Sequence, residues 1–164
     1  DRVLKRMGRH WYSAASYAAA AEETAARCSV FALGADVITG FPGETDEDHA
    51  ATVALVRALP FTYLHVFPYS ARPGTAAVKL GREVPASVSR DRAAELRALG
   101  EQKAAAHRAA RVGGSADVVV VGDGHRREGL TEDYLSVRVV DAALPRRSRM
   151  CMTLSLADGE LTAG

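Results

Sequence analysis

The sequence predicts an α/β segment reaching to residue 112 and, after it, a small all-β domain over residues 115–164. Three observations carry this. Helical and strand-like apolar spacings alternate up to Arg111, and only strand-like alternation is left after Gly113-Gly114-Ser115. Between them, Gly40-Phe41-Pro42-Gly43 joins a β-branched run directly to an amphipathic one.

Val3, Leu4 and Met7 share one helical face, so the chain opens inside an amphipathic helix and reads as a fragment of something longer. Ser13 to Ala26 is alanine-rich and free of breakers, which predicts a helix. Val30 to Thr39 predicts a strand, interrupted near Gly34. Thr45 is an N-cap with Asp46, Glu47 and Asp48 in the first turn behind it, Asp48 standing in for the capping-box acid, and Pro60 marks where that helix has ended. Tyr63 to Phe67 is a second short strand, residues 68–75 a loop of Pro, Gly and Ser, and a long helix runs from Ser87 or Ser89 to Arg111. In the tail, residues 117–121, 134–140 and 150–156 alternate as strands, with turns at Gly122-Asp123-Gly124 and Asp158-Gly159, the pattern of a small antiparallel barrel or sandwich. Two parallel strands leave edges and a face uncovered, so the missing strands of the first part are expected before Asp1.

Of 164 residues, 48% are hydrophobic and 25% charged, a globular composition that excludes disordered and fibrous classes. No apolar run approaches the roughly 18 residues of a membrane span, and no signal-peptide core follows Asp1-Arg2-Val3-Leu4-Lys5-Arg6, so a cytoplasmic location with no membrane partner is expected. Cys28 and Cys151 stand alone, without disulfide or metal-ligand spacing. The net charge of +1 hides a division: residues 36–70 carry five acids against Arg57 alone, residues 79–114 eight bases against four acids. The basic stretch suits a polyanion, or equally a solvated helix face.

A Gly-rich turn at the carboxyl end of a parallel strand is either the wall of a ligand pocket or a tight βα turn, and the turn alone leaves both open. Longer segments add to it. Asp36-Val37-Ile38-Thr39-Gly40-Phe41-Pro42-Gly43-Glu44-Thr45 and His65-Val66-Phe67-Pro68-Tyr69-Ser70-Ala71-Arg72-Pro73-Gly74-Thr75-Ala76-Ala77, with Leu4-Lys5-Arg6-Met7-Gly8-Arg9, Val84-Pro85 and Arg92, closely resemble signature segments of the radical S-adenosylmethionine methylthiotransferases. Gly129 to Val137 resembles that family's TRAM domain. The resemblance implies the C-terminal part of a partial (β/α)6 barrel (residues 1–112) followed by a TRAM-like RNA-binding β-barrel (residues 115–164). It also implies a tRNA substrate, S-adenosyl-L-methionine, two [4Fe-4S] clusters held by cysteines outside this chain, and an electron donor. His65-Val66-Phe67-Pro68-Tyr69-Ser70 is most similar to the branch that methylthiolates N6-threonylcarbamoyladenosine beside the anticodon. The cluster-binding cysteine motifs are absent, so the chain alone is expected to be inactive; a non-catalytic RNA-binding module using the tail is the alternative.

The resemblance assigns Ile38, Gly40, Phe41, Gly43, Glu44, His65, Phe67 and Tyr69 to the cofactor pocket, Ile38 and Phe41 as apolar contacts and the glycines as room for backbone approach. Glu44 either bonds the cofactor or favours the helix N-terminus, and Asp36 is expected to be buried and paired. His49 is expected to be a partly buried packing residue. Arg72 suits RNA or the methionyl carboxylate; Arg126, Arg127, Arg146, Arg147 and Arg149 suit phosphates. Residues 115–164 hold six arginines and eight acids, so RNA binding there depends on local clustering, and Asp141 is the acid nearest the last three. No catalytic residue or metal ligand is assigned, and the oligomeric state is left open.

Overall fold

The computed structural model describes residues 1–122, 127–141 and 143–164 and divides into two units: residues 1–29 with 33–104, and residues 30–32 with 105–164.

The first unit runs α1 (Arg2–Arg6), α2 (Ala14–Arg27), β1 (Gly34–Thr39), α3 (Asp46–Ala58), β2 (Tyr63–Pro68) and the residues up to 104 of α4 (Ala86–Arg111), with a 3₁₀ turn at Ala76–Leu80 that the sequence did not suggest. Thr45 caps α3 as expected: its hydroxyl accepts from the Asp48 N–H, and the Asp48 carboxylate accepts from the Thr45 N–H at 2.9 Å. Ser13 and Ser16 close a similar box on α2. Lys103 donates to the Arg57 and Leu59 carbonyls at the end of α3, satisfying groups the helix cannot pair itself. β1 and β2 are parallel and in register, Gly34 opposite Tyr63 and Thr39 opposite Pro68.

One face of this sheet is packed. Val66 joins Val53 and Val56 of α3, Leu59 just past its end, and Ala93 and Leu96 of α4 in a buried core, against which Ala35, Val37 and Leu64 pack. Gly100 lets α4 lie close on β2, since a Cβ there would stand 3.1 Å from the Leu64 Cβ. The other face carries Ile38, Tyr63 and Phe67, all exposed.

Among the described residues the second unit is a closed barrel of five strands: β3 (Ser115–Val120), β4 (Glu128–Thr131), β5 (Ser136–Val139), β6 (Arg149–Ala157) and β7 (Glu160–Ala163), ordered β3-β4-β5-β7-β6. Ala116, Val118, Val120, Val137, Val139, Met152, Leu154, Leu161 and Ala163 fill it. The expected barrel is present, but β4 and β7 were not foreseen, and closure uses a parallel pair, β5 with β7, in an otherwise antiparallel sheet. Gly129 in β4 is a packing requirement: its missing Cβ would meet Val118 at 2.5 Å and Val139 at 2.9 Å. Asp158 (φ 52°) and Gly159 (φ 77°) make the tight turn from β6 to β7, both left-handed as a two-residue hairpin of right-handed twist requires. Of the other expected turn, Asp123 and Gly124 lie outside the described residues.

Candidate functional site

The strand-to-helix turn is held from every side by its own chain. Thr39 is buried at the end of β1; its hydroxyl donates to the Ser89 carbonyl at 3.0 Å, and the Ser89 hydroxyl donates to the Thr39 carbonyl at 3.0 Å. Gly40 follows at φ 73°, and its N–H donates to Glu44 Oε2 at 2.6 Å. The same oxygen accepts from Arg92 Nη1 at 2.7 Å, while Arg92 Nη2 reaches Asp46 Oδ1 at 2.6 Å. Glu44 and Arg92 are both buried, so the ion pair lies out of water at the start of α3. Gly43 (φ 83°) donates to the Arg82 carbonyl at 2.8 Å. Arg6 donates to the Pro42 carbonyl at 3.0 Å, and Arg2 to the Gly43 carbonyl at 2.7 Å and to Asp48. Burial works to raise the Asp48 carboxyl, but the Arg2 guanidinium and Thr45 outweigh it and hold it below the ordinary range. The directions in which side chains on Gly40 and Gly43 would point are taken by Ser89 and by the Arg6 guanidinium.

Beside this turn lies a cleft of about 1170 Å³. Consecutive residues of β1, Gly34 to Ile38, line it, so it runs along the edge of β1 that no described strand pairs. Leu4 and Met7 flank it, and at the carboxyl ends of the strands it is closed by Phe67, Tyr69 and Arg72. Of the sequence-assigned pocket residues, Ile38, Glu44, Phe67 and Tyr69 line the cleft, whereas Gly40, Phe41, Gly43 and His65 do not; Arg72, assigned to RNA or the methionyl carboxylate, lines it too. Phe41 is buried edge-on against the Tyr69 ring, centroids 5.4 Å apart. Tyr69 donates its backbone N–H to the Thr39 carbonyl at 2.7 Å, yet its hydroxyl is buried with no hydrogen-bond partner among the described residues. His65 and Phe67 share the open sheet face, their rings 4.5 Å apart, and His65 Nδ1 stands 3.6 Å from Asp36 Oδ1. Asp36 is therefore paired, but the expectation that it is buried was wrong: its side chain is 78% exposed, because even-numbered positions of β1 face outward. His49 is buried on α3, with Nε2 2.8 Å from Glu95 Oε2.

In the barrel unit, Arg127, Arg146 and Arg147 each donate to a backbone carbonyl at or just past the end of β3. Arg146 Nε donates to the Val121 carbonyl at 3.1 Å, Arg147 N–H to the Val120 carbonyl at 2.8 Å, and Arg127 Nη1 to the Gly122 carbonyl at 3.4 Å. Arg147 is exposed and held at φ 68°. Arg149 departs from the sequence argument. Its guanidinium grips both oxygens of Asp117, a cross-strand partner from β3, while Asp141 caps the Ala143 N–H instead. Arg126 lies outside the described residues.

No family model matches the chain. It is 40% identical over 141 residues to the threonylcarbamoyladenosine tRNA methylthiotransferase MtaB of Treponema pallidum, covering 86% of this chain and 29% of that protein. It is 44% identical over 122 residues to a tRNA-2-methylthio-N(6)-dimethylallyladenosine synthase of Sorangium cellulosum (74% of this chain, 24% of that protein), and 34% identical over all 164 residues to one of Corynebacterium efficiens, of which it covers 30%. The chain belongs to the radical S-adenosylmethionine methylthiotransferase family. It spans less than a third of the length of these relatives.

A cleft with apolar Ile38 and Phe67 on its wall, an unsatisfied buried hydroxyl at Tyr69 and a guanidinium at Arg72 suits a nucleoside carrying an amino-acid tail. The residues present do not suit an iron–sulfur cluster: Cys28 and Cys151 are both exposed, one in each unit, and among the described residues no three His, Cys, Asp or Glu side chains gather as metal ligands. Among the described residues no helix is long and apolar enough to cross a membrane.

Sequence reasoning missed what braces this turn. Thr39, Ser89 and the Glu44–Arg92 pair were not foreseen as a unit, because Arg92 stands among other charged residues, Arg90, Asp91 and Glu95, and nothing in the sequence sets it apart from them. A second buried cluster was also missed. Asp133, its side chain 1% exposed, accepts from Thr131 Oγ1 at 2.6 Å and Arg111 Nε at 2.9 Å, and meets His107 Nε2 at 2.9 Å. Burial alone would raise this carboxyl; the Thr131 hydroxyl, the Arg111 charge and His107 overcome it and depress it.

Proposed function

We propose that this chain is the C-terminal portion of a tRNA methylthiotransferase that places a methylthio group on C2 of N6-threonylcarbamoyladenosine next to the anticodon. The observation that carries this is the cleft at the carboxyl ends of two parallel strands in a chain homologous to tRNA methylthiotransferases. In this reading residues 1–112 end a partial (β/α)6 barrel and residues 115–164 form a TRAM-like RNA-binding domain. The unpaired edge of β1, with the cleft along it, supports further strands from the parent polypeptide. The chain by itself would be inactive, and the parent enzyme would draw electrons from a separate donor in the cytoplasm.

Bound S-adenosyl-L-methionine, with [4Fe-4S] clusters held by cysteines elsewhere in the parent polypeptide, would supply the radical and methyl-transfer chemistry. The residues of this chain bind and orient. Ile38 and Phe67 offer apolar surface to the adenine. The Tyr69 hydroxyl gains the hydrogen bond it lacks, and Arg72 pairs with the methionyl carboxylate or an RNA phosphate. Glu44 would shape the site through the turn, since it accepts from the Gly40 N–H and holds Arg92. Arg127, Arg146 and Arg147 at the barrel end would position the RNA backbone.

Relatives named for dimethylallyladenosine favour a second reading, in which isopentenylated adenosine is the substrate. Mass spectrometry of tRNA nucleosides from a host lacking both activities, complemented with the full-length gene, separates them: the first reading requires the threonylcarbamoyl nucleoside to gain the methylthio group. Tyr69→Phe in that enzyme should melt at the same temperature and bind S-adenosylmethionine about tenfold more weakly, the loss of one hydrogen bond to a charged ligand.

A further inference from the structure

The first unit carries a second, smaller cleft that the cofactor reading leaves unused. It measures about 370 Å³ and lies where the end of α1 and the start of α2 meet. Trp11, the single tryptophan of the sequence, lines it and is 78% exposed. A lone exposed aromatic is ordinary on a protein surface, and what sets this one apart is its company. Lys5, Arg9 and His10 line the same cleft and are exposed. Tyr12 completes it, its hydroxyl accepting from Arg9 Nη1 at 3.2 Å and its ring 6.3 Å from the indole at 55°.

Charge here is one-sided. Residues 1–21 carry Arg2, Lys5, Arg6 and Arg9 against Asp1 alone. Asp1 is engaged, accepting from the Ala14 N–H at 2.7 Å, and Arg2 and Arg6 are turned toward Asp48 and the 42–43 carbonyls. Lys5, Arg9 and His10 therefore frame the indole with positive charge and donors, and among the described residues Asp1 supplies the one carboxylate lining this cleft.

A π face bordered by cations matches a single-stranded polynucleotide, whose bases stack on the ring while flanking phosphates meet the charges. An acidic peptide would use the cations and leave the indole wet. We propose that Trp11, with Lys5, Arg9 and His10, is a stacking site for one unpaired base of an RNA strand. This rests on the reading of RNA as the substrate. Asp1, Arg9 and Tyr12 line both this cleft and the larger one, so the base on Trp11 is a near neighbour of the nucleotide presented to the cofactor.

The single tryptophan makes the site self-reporting. The 164-residue chain is titrated with a single-stranded oligoribonucleotide under selective indole excitation, in parallel with anisotropy of the same RNA carrying a dye. The expected result is quenching that follows the anisotropy curve. Trp11→Ala should weaken binding about tenfold, Trp11→Phe should retain most of the affinity, and Lys5→Gln with Arg9→Gln should lower the salt slope by roughly 0.7 each. Unchanged circular dichroism of Trp11→Ala guards against misfolding. RNA binding without quenching and without a Trp11→Ala effect overturns the stacking site and leaves the RNA reading standing. Absence of any RNA binding by anisotropy overturns the RNA reading and the site with it. Quenching by polyglutamate and not by RNA overturns the proposal in favour of an acidic protein partner.

Discussion

Ser89 of α4 stands where a side chain on Gly40 would go: a Cβ built on Gly40 lies 2.5 Å from the Ser89 Cβ. The helix and the turn thus touch backbone to side chain, tied by two reciprocal hydrogen bonds between Thr39 and Ser89. Gly40 is needed for its φ of 73° and for this approach, before any ligand arrives.

Gly40→Ala should therefore destabilise the full-length protein by at least about 2 kcal/mol, the sum of left-handed strain and overlap. Adding Ser89→Gly should relieve the overlap but not the strain, and because it also removes the Ser89 hydroxyl that donates to Thr39, the double variant is read against Ser89→Gly alone. Urea unfolding of these variants separates the two contributions, and a Gly40→Ala protein as stable as its parent would show that the approach is relaxed in solution.

Removing one partner of the Glu44–Arg92 pair strands a buried charge. Arg92→Met should cost about 3–5 kcal/mol, whereas the double variant Glu44→Gln with Arg92→Met should cost less than Arg92→Met alone. A double-mutant cycle by thermal or denaturant unfolding gives the coupling. Additive losses would mean the two side chains act independently.

Acid should loosen the barrel unit through Asp133. Its carboxyl in the fold lies below the ordinary aspartate value near 3.9, so its stabilisation is complete above that value and is lost as pH falls through the depressed folded value. Asp133→Asn should lower stability at neutral pH and flatten the acid limb of the stability curve. Identical acid limbs for variant and parent would refute the assignment.

Arg147 and Arg149 should differ in RNA binding although they are two positions apart. Arg149 is neutralised by Asp117, which itself is held below the usual carboxylate range by that guanidinium. Arg147→Ala should reduce the slope of log affinity against log salt by roughly 0.7 to 1, and Arg149→Ala should leave it nearly unchanged. Fluorescence anisotropy across a salt series decides, and equal changes would mean that RNA displaces Asp117.

Much of the α/β part was legible because its signals are local. Thr45 and Asp48 are three residues apart and announce the start of α3 without reference to the rest of the fold. The same locality explains the failures. β4 is four residues with Gly129 inside it, and its place depends on Val118, Val137 and Val139 filling the room that glycine leaves. Glu44 and Arg92 meet across 48 residues of sequence and Thr39 and Ser89 across 50, and nothing in either segment alone names the other. Arg149 looked like a loop cation because β6 begins at that residue, and only strand pairing brings Asp117 beside it.

The way the barrel closes has a consequence in time. β3, the first strand made, must wait for β6 to pair its second edge, and β5 is sealed only by β7, at Arg138 with Thr162 and Val139 with Ala163. Such distant pairings incur chain-closure entropy before they return any contact, so they form late and slowly. On a ribosome, β3, β4 and β5 would emerge as an open meander with Val118, Val137 and Val139 bare to water until β7 left the exit tunnel. Synthesis that stalled between β6 and β7 would leave an adhesive sheet edge rather than a smaller folded domain, making the hairpin at Asp158-Gly159 the step on which release of a soluble chain depends.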